Sequence, residues 1–106
     1  MTIIPEHISI GGTRYDVRFV DRCIDNNLGK SNTAESIIEI ADFWDNGRIQ
    51  STESKKLTFY HEVVHCILGT MGENELNHNE KFVCAFSSFL NEAMRNAVFD
   101  DNNIDV

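Results

Sequence analysis

Two histidines one helical turn apart are the residues of this sequence best suited to chemistry. They lie in the segment His61-Glu62-Val63-Val64-His65, an H-E-x-x-H pattern. Residues four apart lie on one face of an α-helix, so both imidazoles can point at one metal ion. Glu62 lies farther round the helix, where it can reach a water at the metal and take its proton. The pattern predicts a zinc site with His61 and His65 as ligands and Glu62 as general base.

A catalytic zinc site needs a third protein ligand, and two residues downstream of the motif are candidates. Glu80 opens the next predicted helix and can reach the histidine pair from the side if the two helices pack by their apolar faces. Its simpler role would be to stabilise the helix N-terminus through the helix dipole. His78 lies two residues earlier, in the loop, and would make an all-histidine site. We favour Glu80 as the third ligand and keep His78 as the alternative.

Hydrophobic periodicity predicts the elements that position these residues. Within residues 6–20, polar and apolar side chains alternate on either side of Gly11-Gly12, which predicts a hairpin. Residues 36–40 form a third candidate strand. The Asp, Asn and Gly residues at 25–29 are typical of a turn. The sequence therefore predicts an α+β fold, with a small antiparallel sheet of about three strands followed by two packed helices.

Both predicted helices carry an apolar stripe. The first helix is capped by Ser51 or Thr52 and ends near Gly72. At roughly 100° per residue its two histidines flank the stripe, Glu62 lies beyond them, and Cys66 points away from the site. The second helix begins near Asn79. The predicted stripes are Leu57, Tyr60, Val64, Ile67, Leu68 and Met71 on the first helix, and Phe82, Phe86, Phe89, Leu90, Ala93 and Ala97 on the second.

Composition excludes several classes of protein. The 106 residues include 17 acidic and 9 basic side chains, and a net charge of −8 argues against nucleic-acid binding through a broad basic face. The three cysteines form no C-x-x-C pair, which favours a reducing, cytoplasmic setting over a disulfide framework. The apolar runs are too short to cross a membrane, and no targeting segment is evident. We expect one domain over residues 1–99 and an acidic flexible tail over residues 100–106.

The motif and the segment at residues 79–83 resemble the zincin metallopeptidases. More narrowly, they resemble the short ImmA/IrrE-like zincins, which phages and mobile elements often encode. The resemblance implies a small sheet, a motif helix and a second helix that opens with a ligand Glu. It assigns His61, His65 and Glu80 as zinc ligands and Glu62 as general base. SprT-like proteases, which use a third histidine, are similar around residues 78–82, and this keeps His78 open.

These features imply a zinc-dependent peptidase that cleaves a peptide or protein substrate. The group that stabilises the oxyanion stays open among Tyr15, Tyr60 and His78. By the resemblance, residues 37–40 are similar in placement to the edge strand with which a substrate pairs. The alternative function is a zinc-binding, non-hydrolytic interaction module in which the metal holds the fold. Glu62 favours hydrolysis, because a structural site has no use for a general base.

Overall fold

A computed structural model describes residues 4–100 of the chain. They form a four-stranded mixed sheet followed by three helices, so the predicted α+β class is confirmed, whereas the strand and helix counts differ. The predicted tail lies outside the described residues, apart from Asp100. The strands are β1 (His7–Ile10), β2 (Thr13–Val20), β3 (Gly29–Asn32) and β4 (Ile37–Ala41), and the helices are α1 (Thr52–Met71), α2 (Asn74–Asn77) and α3 (Glu80–Asn96).

The predicted hairpin is confirmed. Strand β1 pairs antiparallel with β2, and Ile10 lies opposite Thr13 across the turn. Gly11 and Gly12 have φ angles of +59° and +80°. Glycine adopts the left-handed conformation at little cost, so this dipeptide can close the hairpin with positive φ at both positions.

The prediction of a purely antiparallel sheet with β4 at its edge is wrong. The strand order is β1-β2-β4-β3, and β4 runs parallel to β2. A strand that the sequence did not indicate, β3, pairs antiparallel with β4 and lies at the edge. Its residues, Gly-Lys-Ser-Asn, have low strand propensity and no apolar alternation, so only pairing with β4 makes them a strand.

The bounds of α1 agree with the prediction, but its buried face does not. Ser51 caps the helix by accepting a hydrogen bond from the Ser54 amide, and Gly72 ends it. The residues that pack on the sheet are Phe59, Val63 and Cys66. The predicted stripe is in part exposed, at Leu57, Ile67 and Met71. Helix α1 lies between the sheet and α3 and is buried on two sides, so a single-stripe interpretation misplaces its core.

The buried face of α3 also differs from the predicted stripe. Val83 and Ser87 are buried, whereas Phe86 and Phe89 are 50% and 69% exposed. Small side chains at a helix contact allow the two axes to approach closely, which large aromatic rings prevent. A single-turn helix, α2, joins α1 to α3, so three helices follow the sheet where two were predicted. Among residues 4–100, no helix combines the length and the apolar character needed to cross a membrane.

Candidate metal centre

Three of the predicted site residues meet between α1 and α3. The Nε2 atom of His65 lies 3.1 Å from Glu80 Oε1, and the Nε2 atom of His61 lies 3.3 Å from Glu80 Oε2. One candidate ligand atom from each residue lies within 4.8 Å of the others. Within the described part of the chain, this is the group of His, Cys, Asp and Glu side chains with such geometry, and His78 lies outside it.

Local structure explains how these three side chains converge. His61 and His65 are one turn apart on α1, and their ring centroids lie 4.9 Å apart. Glu80 is the first residue of α3, whose start is set by the Asn79 side chain accepting a hydrogen bond from the Phe82 amide. One turn later Val83 packs with Val64 and Leu68 of α1. This contact holds the start of α3 beside the histidine pair.

The types and spacing of the candidate ligand atoms on His61, His65 and Glu80 match those of a zinc site. Ligand distances of about 2.0–2.2 Å around a tetrahedral ion correspond to separations of about 3.3 Å between ligand atoms. The two His–Glu80 distances of 3.1 and 3.3 Å are close to this value. Two imidazole nitrogens and one carboxylate also form a set found in catalytic zinc sites, which leave a fourth position open.

Asn77 is a functional candidate that the sequence analysis missed. Its Oδ1 lies 2.6 Å from Nδ1 of His65. When Nδ1–H donates to this oxygen, Nε2 carries the lone pair that metal ligation needs. Two acceptors, Nε2 and the Glu80 carboxylate, then face each other, an arrangement that a cation between them stabilises. No motif marked Asn77, and the available hint is its position three residues before Glu80, at the end of α2.

His61 is in an environment that favours the neutral imidazole. Burial lowers the pKa of His61, and the nearby His65 lowers it further, while Glu80 acts in the opposite direction. A neutral imidazole is the form that binds a metal. The other ring nitrogen, Nδ1, lies 3.9 Å from Sγ of Cys84, an exposed residue of α3.

Glu62 lies on the sheet side of the site. Glu62 is only 7% exposed, because strand β3 covers it. A Cβ at Gly29 would come within 3.1 Å of the Glu62 side chain and 2.5 Å of Thr58, so this position of β3 requires glycine. The helical wheel placed Glu62 beyond the histidines without indicating its burial, which results from the sheet that packs on that side of α1.

Burial also changes the acid strength of Glu62. Desolvation raises the pKa of its carboxyl group, while the charge of His65 and hydrogen bonds from Ser31 partly offset that rise. A carboxylate with a raised pKa is a better base than an ordinary exposed Glu. Ser31 holds this carboxylate from the edge strand, a contact that sequence spacing did not indicate.

An open cleft of about 930 Å³ contains these side chains. The strand β3 and the residues before it line one side, and α1 lines the other, with Asn77 and Glu80 closing one end. Of the three residues left open as oxyanion stabilisers, Tyr15 lines the cleft, whereas Tyr60 and His78 lie outside its lining. Burial raises the pKa of Tyr15, so its hydroxyl stays a hydrogen-bond donor at neutral pH.

Cys66 is not suited to be a metal ligand. It is fully buried against the sheet, and burial raises its pKa to about 11. The thiol therefore stays protonated at neutral pH, whereas metal binding needs the thiolate.

The chain was compared with protein-family models, with curated proteins and with solved structures, and none of them matches it. The resemblance to zincins accordingly stays a prediction from the two motif segments. What can be said of the site rests on its geometry: two imidazoles, a carboxylate and a buried glutamate converge in one cleft beside an edge strand.

Proposed function

We propose that this chain is a zinc-dependent peptidase whose metal ligands are His61, His65 and Glu80. The observation that carries the proposal is the meeting of both Nε2 atoms with the Glu80 carboxylate at 3.1 and 3.3 Å. Glu62 adds a feature that metal storage does not need, a buried carboxylate directly after the first ligand and within the same cleft.

When bound, a zinc ion polarises the scissile carbonyl and acidifies a water molecule. Glu62 accepts a proton from the attacking water as its oxygen bonds to the carbonyl carbon. When the carbon–nitrogen bond breaks, Glu62 returns that proton to the leaving amine. Tyr15, which lines the cleft, is the candidate donor to the oxygen on which negative charge develops.

The edge strand β3 suits an extended peptide substrate. It is paired with β4 on one side, and its other side borders the cleft above Glu62. Free backbone groups on an edge strand can pair with an extended segment. Residues 29–32 replace residues 37–40 as the proposed substrate-pairing strand, because β4 is enclosed by β2 and β3.

The direct test is zinc content and peptide cleavage measured on the untagged chain. We expect one zinc per chain, loss of that zinc in His65→Ala and Glu80→Ala, and full retention in His78→Gln. Glu62→Gln should keep the zinc and lose cleavage of a mixed peptide library by at least 100-fold. Absence of stoichiometric zinc after supply of the metal would overturn the metal centre. A Glu62→Gln variant as active as the wild type would overturn the peptidase.

A second candidate is a zinc-binding interaction module without hydrolysis. The observation that favours it is the small buried contact between α1 and α3, where the buried apolar residues are Val64, Leu68 and Val83. A metal bridging the two helices would supply folding free energy that this contact lacks. In the same experiment, this candidate predicts stoichiometric zinc and a large zinc-dependent rise in Tm, with no cleavage by the wild type.

A further inference from the structure

Helix α3 carries exposed aromatic side chains, Phe86 and Phe89, on a side that nothing in the described chain covers. We call this side the phenylalanine face. Its residues are spaced three and then four positions apart along the helix. Phe86 and Phe89 are 50% and 69% exposed, and the Phe82 and Phe86 rings stack with centroids 5.7 Å apart. The face consists of Phe86, Phe89 and Ala93, and it is bordered by Phe82, which is partly buried against Val64, Leu68 and Val83.

The phenylalanine face lies beside the surface through which α3 packs on α1, and it points away from Glu80. At about 100° per residue, its centre lies roughly 100° from the middle of the buried Val83–Ser87 side and about 150° from Glu80. Contiguous exposed aromatic surface of this kind marks an interaction site. A partner that covers this face would therefore leave the cleft open.

The charges of α3 favour a second copy of the chain as the partner at this face. The whole chain has a net charge of −8, but α3 carries two acidic and two basic side chains and is neutral. A second copy of α3 can therefore approach without like-charge repulsion at the contact itself. A basic partner helix, which an acidic surface would attract, finds no excess of negative charge beside this face.

The arrangement of the charges favours an antiparallel pair. Lys81 and Glu92 lie on the same flank of the phenylalanine face, about 110° and 90° from its centre, near opposite ends of the helix. Neither makes an ion pair with another residue in the range 4–100. In antiparallel helices, residues on the same flank face each other. A two-fold axis at Ser87–Ser88 brings Phe86 of one copy opposite Phe89 of the other. It also brings Lys81 of each copy within one helical turn of Glu92 of the other copy.

We propose that the chain forms a symmetric homodimer in which α3 packs antiparallel against α3 of a second copy through the phenylalanine face. The exposed parts of Phe86 and Phe89 in two copies amount to roughly 500 Å² if each side chain offers about 200 Å². Residues flanking the face would have to add to this area for the contact to reach the low end of specific interfaces, roughly 1,200 Å². We therefore expect a weak, reversible dimer.

The test is sedimentation velocity on the full chain from about 5 to 500 μM, with EDTA present so that no metal bridges two copies. We expect a monomer–dimer equilibrium that strengthens as salt is raised, because the acidic remainder of each copy repels the other. Phe89→Glu should weaken association at least tenfold. Ile49→Glu, a control residue that is 70% exposed before α1, should leave it unchanged.

A charge exchange tests the register. Lys81→Glu alone and Glu92→Lys alone should each weaken dimerisation a few-fold, and the double variant should restore it. Thermal unfolding of each variant checks that the exposed substitutions leave the monomer folded. A chain that stays monomeric at about 500 μM overturns the proposal and leaves the face to a different protein. Dimers that survive Phe89→Glu, or a double variant that fails to restore association, overturn it as well.

Discussion

The two sides of α1 are packed very differently. On the sheet side, Phe59, Val63 and Cys66 join buried residues of β2 and β4, and further apolar residues from β1 extend that core. On the α3 side, the buried apolar contact consists of Val64, Leu68 and Val83. That side also includes the buried Asn91 Oδ1, which has no hydrogen-bond partner among the described residues.

This contrast indicates how the molecule divides its tasks. The sheet side supplies the apolar burial that holds the fold and presses Glu62 against β3. The α3 side is thinner, and it is where the two histidines meet Glu80. A metal bound there would stabilise the contact that apolar packing leaves weakest.

A truncation on the sheet side should cost the most stability. Phe59→Ala is expected to lower the free energy of unfolding by about 3–5 kcal/mol, because it leaves a large cavity under the sheet. Val83→Ala, on the α3 side, should lower it by about 1–2.5 kcal/mol. Urea unfolding with a chelator present measures both values. Equal losses would show that the two sides share one core.

Zinc should stabilise the α3 side in particular. At a free zinc concentration of about 100 times Kd, binding raises the free energy of unfolding by about 2.7 kcal/mol. Hydrogen exchange should slow most at the start of α3 and less in β2 and β4. The effect should vanish in Glu80→Gln or after EDTA is added. If hydrogen exchange slowed equally across the sheet and α3, zinc would not stabilise the α3 side in particular.

Removal of the Asn77 acceptor should weaken zinc binding without destroying the site. We expect Asn77→Ala to reduce zinc affinity by about 10–100-fold, since His65 loses the partner that orients its ring and selects its tautomer. Competition with a chelating dye measures the affinity. Asn74→Ala, an exposed substitution at the other end of α2, is the matched control and should change little. An unchanged affinity in Asn77→Ala would mean that His65 is oriented by packing alone.

Lys56 should show the smallest effect. Its side chain is 3% exposed, its ammonium lies 3.8 Å from Glu53, and it has no hydrogen-bond partner within residues 4–100. Lys56→Met keeps a side chain of similar length and removes a buried ammonium. The free energy of unfolding should therefore rise by up to about 1 kcal/mol or stay unchanged. Lys55→Met, which breaks a 2.8 Å pair with Asp42, should instead lower it by roughly 0.5–1 kcal/mol. A clear loss in Lys56→Met would reveal that this ammonium is stabilising.

Sequence reasoning worked best where the relevant geometry is local. The hairpin at Gly11-Gly12, the Ser51 cap and the end of α1 at Gly72 each depend on a few consecutive residues. The nearness of His61 and His65 follows from helical spacing alone. The helix that Glu80 opens was also predicted, because Asn79 and the apolar residues after it mark a helix start.

Sequence reasoning failed where a residue's surroundings come from distant segments. Strand β3 has no strand pattern of its own and depends on pairing with β4. The burial of Glu62 depends on β3 lying over α1, and the exposure of Phe86 and Phe89 depends on α3 meeting α1 through Val83 and Ser87 instead. A helical wheel assumes one buried side, and α1 has two.

The amino-acid sequence is enough to predict the α+β order of elements, the spacing of the two histidines and the start of the helix that bears Glu80. These follow from backbone geometry and side-chain period, which act over a few residues. Only the tertiary structure decided that Glu80 reaches both histidines, that Asn77 contacts His65 and that β3 forms the wall of the cleft. Those contacts join segments far apart in the chain, and their formation depends on how the whole molecule buries its apolar surface.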